Sequence, residues 1–185
     1  YRNSFASETP GGPSASTESE IFLPAGSHTI TVGAGGAAQP ADTNQQGGDG
    51  NDSIFSTITS TGGGGGGSKN SPAPACGANK PGGSGGGGAG RMTCQSVDQG
   101  GTGNTPPVSP SQGETGGNGA RRAASPACES GAGGGGGASV AGTTAPTCSV
   151  SGKAGGTGQY VVDAFFGPTA PSYGQGGPVS NTRFF

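Results

Sequence analysis

Few side chains in this 185-residue sequence are able to run a reaction, and their spacing assembles none of them into a site. The single histidine, His28, sits in an alternating polar–apolar stretch and reads as a strand-face residue rather than a general base. The ten acidic residues are dispersed, with no two set apart as a general acid–base pair. Two glycine motifs come closer to chemistry. Gly33-Ala34-Gly35-Gly36-Ala37-Ala38 has the form of a dinucleotide-binding turn. That chemistry needs a helix next, whose N-terminus holds the pyrophosphate, and Gln39-Pro40-Ala41-Asp42 will not make one. Gly47-Gly48-Asp49-Gly50-Asn51-Asp52-Ser53-Ile54-Phe55 fits the calcium-binding nonapeptide at every position. That motif works by stacking successive turns around each ion, and one copy cannot build the roll. A turn of Gly, Asp and Asn before a strand explains the same residues. No enzyme, cofactor site or metal site is therefore expected.

The cysteines carry more. Cys76, Cys94, Cys128 and Cys148 are even in number and contain no C-x-x-C pair. Four cysteines allow three connectivities, and sequence does not choose among them. Pairing of neighbours, Cys76 with Cys94 and Cys128 with Cys148, would close loops worth roughly 3 kcal/mol each in the chain-entropy model. A chain so poor in core residues needs such staples. Disulfides imply an oxidising, extracellular setting.

Composition bounds the rest. Gly 45 and Pro 15 make up about a third of the chain, while Val, Ile, Leu and Phe together number only 20. That is too little for an ordinary hydrophobic core and would by itself suggest disorder. The net charge of -2 gives little self-repulsion, however, and the apolar residues cluster in a few β-like segments. A chain without side chains to bury can still order if backbones pack on backbones. Extended glycine with three residues per turn does this, in a geometry related to collagen's. Collagen itself is excluded, because these glycines come in runs rather than at every third position. The eight Lys and Arg are scattered, without the basic stripe and interleaved aromatics of a nucleic-acid binder. No apolar run approaches the roughly 18 residues of a membrane helix. The ends, Tyr1-Arg2-Asn3 and Arg183-Phe184-Phe185, read as those of a processed product or of a segment of something longer.

The expected fold is mostly irregular and all-β, with a few short strands, packed extended polyglycine segments joined by disulfide-stapled loops, and essentially no α-helix. Over residues 1–61, a short strand at Glu20–Leu23 and the alternating His28-Thr29-Ile30-Thr31-Val32 form a hairpin through Pro24-Ala25-Gly26-Ser27. Gly33 to Gly50 reads as a loop, and Ser53–Thr61 as a β-type segment entering the glycines. Residues 62–158 form the glycine-rich scaffold. Its structural glycines are Gly62, Gly63, Gly64, Gly65, Gly66 and Gly67; Gly85, Gly86, Gly87 and Gly88; and Gly133, Gly134, Gly135, Gly136 and Gly137. Between them lie polar, Pro-containing connectors, three of which place Pro two residues before Cys. Residues 159–185 close the chain with a strand at Tyr160–Phe166. A Gly→Val change anywhere in Gly62–Gly67 is expected to wedge the rods apart.

His28-Thr29-Ile30-Thr31-Val32-Gly33-Ala34-Gly35-Gly36, followed by Asn51-Asp52-Ser53-Ile54-Phe55-Ser56-Thr57-Ile58-Thr59-Ser60-Thr61 and its six glycines, resembles the glycine-rich domains of bacteriophage tail fibres, tail-tip adhesins and related virion proteins. The match covers about residues 20–70. The four cysteines, the frequent prolines and the shorter, interrupted glycine runs depart from that pattern. The resemblance implies a rigid polyglycine scaffold on the virion surface whose connecting loops touch the host, a surface glycan or outer-membrane protein. The implied partners are other virion subunits in a homo-oligomer, with no nucleic acid and no membrane insertion. Lys80, Arg91, Arg121 and Arg122, in the connectors, are the expected surface contacts. A subunit of a bacterial extracellular filament or surface layer is the alternative. A glycine-rich protein that binds ice or glycan is a weaker one, because its threonines lack regular spacing.

Overall fold

The computed structural model describes residues 19–40, 45–68, 80–90, 98–120, 130–149, 151–165, 168, 175–176 and 182–184. Within them the buried hydrophobic residues are Ala89, Ala120, Ala145 and Val161, so side chains do not make the core. The interior is backbone. Gly85, Gly86, Gly88, Gly101, Gly116, Gly117 and Gly134 are all buried. They are held by N–H···O=C bonds that run between extended segments and recur every third residue.

Nine such segments can be followed among the described residues. We call them rods 1 to 9, over residues 33–37, 47–51, 62–67, 82–90, 98–103, 113–120, 131–137, 140–145 and 152–157. The three-residue step is plain in each pairing. Gly47 N–H donates to Gly66 O (3.0 Å) and Gly50 N–H to Gly63 O (2.9 Å), which sets rods 2 and 3 antiparallel. Gly64 N–H donates to Ser84 O and Gly67 N–H to Gly87 O (both 2.9 Å), so rods 3 and 4 are parallel. Rods 6 and 7 are antiparallel through Glu114 to Gly137, Gly117 to Gly134 and Ala120 to Gly131, at 2.7–3.0 Å. A repeat of three residues is that of the extended left-handed helix without internal hydrogen bonds. Such a helix turns its N–H and C=O groups outward in rows, so one rod can bond to several neighbours. Rod 4 touches rod 3, rod 5 (Gly101 N–H to Gly86 O, 2.7 Å), rod 6 (Gly85 to Glu114 and Gly88 to Gly117) and rod 7 (Gly133 to Gly88 and Gly136 to Gly85). Many of the rods' backbone polar groups are thereby satisfied without a sheet or an α-helix.

Glycine serves this lattice by its size rather than by its torsional freedom. Among the described glycines only Gly26 takes a positive φ, 149°. A Cβ on Gly65 would instead lie 2.6 Å from the carbonyl carbon of Gly47 and 2.9 Å from Gly48 O. One on Gly88 would lie 2.7 Å from Gly119 N, and one on Gly133 would lie 2.6 Å from Asn118 O. The requirement follows the three faces of a rod and is not uniform along a run. A Cβ on Gly66 meets nothing within 4 Å, and one on Gly63 meets only Ser84 O at 3.9 Å. The expectation that any side chain in Gly62–Gly67 is disruptive is thus refined to Gly62, Gly64, Gly65 and Gly67. The Gly33–Gly50 stretch, read as a loop, supplies rods 1 and 2, joined by Gly48 N–H to Ala37 O (3.2 Å) and Asn51 N–H to Ala34 O (2.9 Å).

The strands are short and sit at the lattice margin. Strand β1 (Ile30–Thr31) pairs antiparallel with β2 (Ser53–Phe55), which pairs antiparallel with β3 (Ile58–Ser60). Ile30 faces Phe55 and Phe55 faces Ile58, placing the three apolar residues on one side of the sheet. The single segment expected over Ser53–Thr61 is therefore a hairpin whose tip is Ser56-Thr57, with Ser56 at φ 53°. The hairpin expected between Glu20–Leu23 and the 28–32 stretch does not form. No strand occurs at 20–23, and Phe22 is 91% exposed. Alternation marks Ile30 as strand-forming but cannot choose its partner, and the apolar β2 offers it a better face. At the other end of the chain, β4 (Tyr160–Val162), β5 (Gln175–Gly176) and β6 (Thr182–Phe184) form an antiparallel sheet in the order β4-β6-β5. The expected strand over Tyr160–Phe166 stops at Val162 and continues as a 3-10 turn, Asp163–Phe165. Among the described residues there is no α-helix, and no helix is long and apolar enough to cross a membrane.

Candidate binding surface

The directions of the rods decide what each end of the bundle carries. Rods 1, 3, 4, 6 and 8 run one way and rods 2, 5, 7 and 9 the other, by the parallel and antiparallel registers of their bonds. The β1-β2-β3 sheet, the 104–112 loop and the turn at 138–139 therefore share one end. Rods 4 and 6 finish, and rods 5, 7 and 9 begin, at the opposite end. Arg91, Arg121, Arg122, Cys94, Cys128 and Cys148 belong by sequence to the connectors between those termini. Arg91, Arg121 and Arg122 lie outside the described residues, as do Cys76, Cys94 and Cys128. Cys148 is disulfide-bonded and has φ 62°.

Several of the described polar side chains are spent on the lattice. Asp49 in rod 2 and Asp52, just past its end, stand three residues apart, on the same face. Asp49 Oδ1 accepts from Gly65 N–H at 2.7 Å and Asp52 Oδ1 from Gly62 N–H at 3.0 Å. They accept from a row of rod 3 donors that bonds to no backbone carbonyl among the described residues. This is what the nonapeptide-like stretch does here, and the carboxylates serve as stand-ins for backbone carbonyls. The glycines of the nucleotide-like turn have a similar explanation, since a Cβ on Gly33 would lie 2.8 Å from Asp52 O and one on Gly36 would lie 2.8 Å from the Gly48 carbonyl carbon. His28 Nε2 lies 2.8 Å from Pro24 O, inside its own turn.

Lys80, the one expected contact residue within the described set, has its Nζ 3.9 Å from Asp49 Oδ2, and its carbonyl accepts from Gly86 N–H at 3.1 Å. Its side chain is only 25% exposed, so it braces rods 2 and 4 as much as it faces solvent. Sequence reasoning overlooked Asp98 and Gln112. Asp98 is fully buried, with Oδ2 accepting from Ala89 N–H at 2.7 Å and its own carbonyl accepting from Gly119 N–H at 2.8 Å. Gln112, 3% exposed, pairs twice with Thr61: Oε1 accepts from the Thr61 N–H (2.8 Å) and Nε2 donates to Oγ1 (3.0 Å). Asn104, at φ 49°, shapes the 104–112 loop by accepting from Val108 N–H and donating to Val108 O. For the rods themselves, though not for Asp98 or Gln112, a signal lay in the spacing of non-glycine residues. Thr115 and Asn118 in rod 6, and Gln99 and Thr102 in rod 5, stand three apart, on the rods' less crowded faces. No family model, curated protein or solved structure matches the chain.

Proposed function

We propose that the chain is a non-enzymatic structural module of a bacteriophage virion (tail fibre, tail tip or surface decoration), a rigid glycine scaffold that displays connector loops for attachment to the host surface. The observation that carries the reading is the division of labour along the chain. Glycine fills most of the packed rod faces, side chains such as Gln99, Thr102 and Thr115 stand on exposed ones, and the rods are cross-bonded on several sides into a body that needs no hydrophobic core. In this reading the connectors are free to vary, because the rods are bonded directly to one another. Asp49, Asp52 and Asp98 are engaged with backbone N–H groups, which fits support rather than turnover. In this reading Arg91, Arg121 and Arg122 contact acidic groups of a host glycan or outer-membrane protein, in an extracellular, oxidising setting.

The test is competition. The purified chain, added to host cells, is expected to block adsorption of the phage that carries it, and Arg121→Glu with Arg122→Glu is expected to weaken the block. Antibody labelling of a filament with no particle attached, and no competition, would overturn the proposal. That outcome would favour a filament or surface-layer subunit, the second reading. It draws on one observation: β1 is a sheet edge, with Ile30 66% and the neighbouring Val32 82% exposed, available to a second copy.

A further inference from the structure

Rod 4 bonds to four other rods, as rods 6 and 7 do, and among the described residues one of its sides is open. A three-residue repeat sorts its N–H groups into three rows. Gly82, Gly85 and Gly88 donate to rods 5 and 6. Gly83, Gly86 and Ala89 donate to rod 3, to the Lys80 carbonyl and to the Asp98 carboxylate. The third row contains Gly87 and Gly90, whose N–H groups take no partner among the described residues. This row lies between rod 3, which bonds to the Gly87 carbonyl, and rod 7, which bonds to the Gly85 and Gly88 carbonyls. A groove of about 580 Å³ occupies that place, walled by rods 3 and 7 and floored by rod 4. Its walls carry the Gly67 and Gly133 carbonyls, which likewise accept no hydrogen bond among the described residues.

We infer that this groove is a vacant position of the rod lattice, and that it takes an extended glycine-rich segment of another polypeptide as an added rod. The hydrogen-bond pattern is what selects the occupant. A donor row flanked by acceptor walls, repeating every three residues or about 9 Å, matches one more three-residue helix of bare backbone. Among the described residues no charged side chain lines the groove and none there is larger than serine, so the described walls offer neither an ionic nor a bulky apolar ligand a partner. Two of the occupant's three faces would press on rods 3, 4 and 7, and the third would face solvent. That demands a G-G-x repeat. The chain follows this rule itself where a rod has an open face, as in Gly100-Gly101-Thr102-Gly103 and Gly116-Gly117-Asn118-Gly119. Those stretches are already bonded within their own bundle, which points to a segment from a different chain rather than to a second copy. The inference does not depend on which assembly carries the protein.

The probe is the peptide acetyl-(Gly-Gly-Asn)4-amide, titrated into the intact chain by calorimetry. Saturable one-to-one binding is expected, with the amide resonances of Gly87 and Gly90 shifting in a parallel NMR titration. Gly66→Leu and Ala132→Phe both fill the groove from exposed positions. A Cβ on Gly66 has no neighbour within 4 Å. Each should weaken binding at least tenfold without lowering the melting temperature, and two independent variants guard against one that misfolds. The peptide acetyl-(Ala-Ala-Asn)4-amide, whose methyl groups would strike the walls, should bind at least tenfold more weakly than the glycine peptide. No binding, equal binding of the alanine peptide, binding that survives both substitutions, or self-association of the chain that the glycine peptide does not displace would each overturn the inference.

Discussion

Two adjacent glycines in rod 3 give the sharpest quantitative consequence of the lattice. In Gly65→Ala the new methyl would sit 2.6 Å from the Gly47 carbonyl carbon and closer still to its oxygen. Both are backbone atoms, so relief requires rods 2 and 3 to separate. Separation stretches the Gly47-to-Gly66 bond (3.0 Å) and the Gly65-to-Asp49 bond (2.7 Å). Losing most of two such bonds costs about 2–3 kcal/mol, and overpacking alone costs about 1–3 kcal/mol. The two overlap, and about 3 kcal/mol is the expected loss. In Gly66→Ala the methyl meets nothing within 4 Å and the backbone stays at an ordinary φ. Reduced freedom of the unfolded chain should then stabilise the fold by about 0.4–1 kcal/mol. At about 2–4 °C per kcal/mol for a chain of this size, melting temperatures should fall by about 10 °C for Gly65→Ala and rise by about 2 °C for Gly66→Ala. Circular dichroism melts and urea titrations of the two variants measure this directly. Equal stability of the two variants would refute the steric reading of the rods.

Three further outcomes follow from single side chains. Asp49→Ala removes the acceptor of the Gly65 N–H and should cost about 1.5–3 kcal/mol in urea unfolding, the range for a bond to a charged group, whereas Lys80→Ala, which loses a 3.9 Å ion pair, should cost about 0–1 kcal/mol. Gln112→Ala removes the two hydrogen bonds to Thr61 and should cost about 1–3 kcal/mol, while Thr115→Ala, which loses only a long, exposed bond from Gly103 N–H (3.4 Å), should stay within about 0.5 kcal/mol of the parent. Asp98→Ala leaves the buried Ala89 N–H without its acceptor; a loss of about 1–3 kcal/mol is expected, and a neutral result in thermal melts would remove Asp98 from the framework.

The material of the fold was legible in the sequence, and its wiring was not. Too few large apolar residues and long glycine runs leave backbone packing as the way to order, and the buried backbone of rods 4, 6 and 7 is that solution. Rods 1 and 2 escaped notice because their glycines are interrupted by Ala, Asp and Asn, which look like loop composition. Only the three-residue spacing reveals that Asp49 and Asp52 share a face. The pairing of Ile30 with Phe55 was hidden for a different reason. A two-residue strand carries almost no register information of its own, and its partner is fixed by rods 1 and 2 bringing the segments together. Asp98 and Gln112 gave no local signal, since each is buried by rods distant in sequence. The candidate surface residues Arg91, Arg121 and Arg122 follow from sequence only as connector side chains with nowhere to go but outward, and what the fold adds is that their flanking rods end on the side away from the β1-β2-β3 sheet.

The most direct test of the rod lattice is amide hydrogen exchange along Gly62–Gly67, read residue by residue by NMR. Gly64 and Gly67 donate to rod 4 carbonyls, Gly62 and Gly65 donate to the Asp52 and Asp49 carboxylates, and Gly63 and Gly66 have no acceptor among the described residues. The lattice predicts exchange with a three-residue period: slow at Gly64 and Gly67, intermediate at Gly62 and Gly65, and fast at Gly63 and Gly66. Uniformly fast exchange across all six glycines would contradict it and make the run a flexible linker.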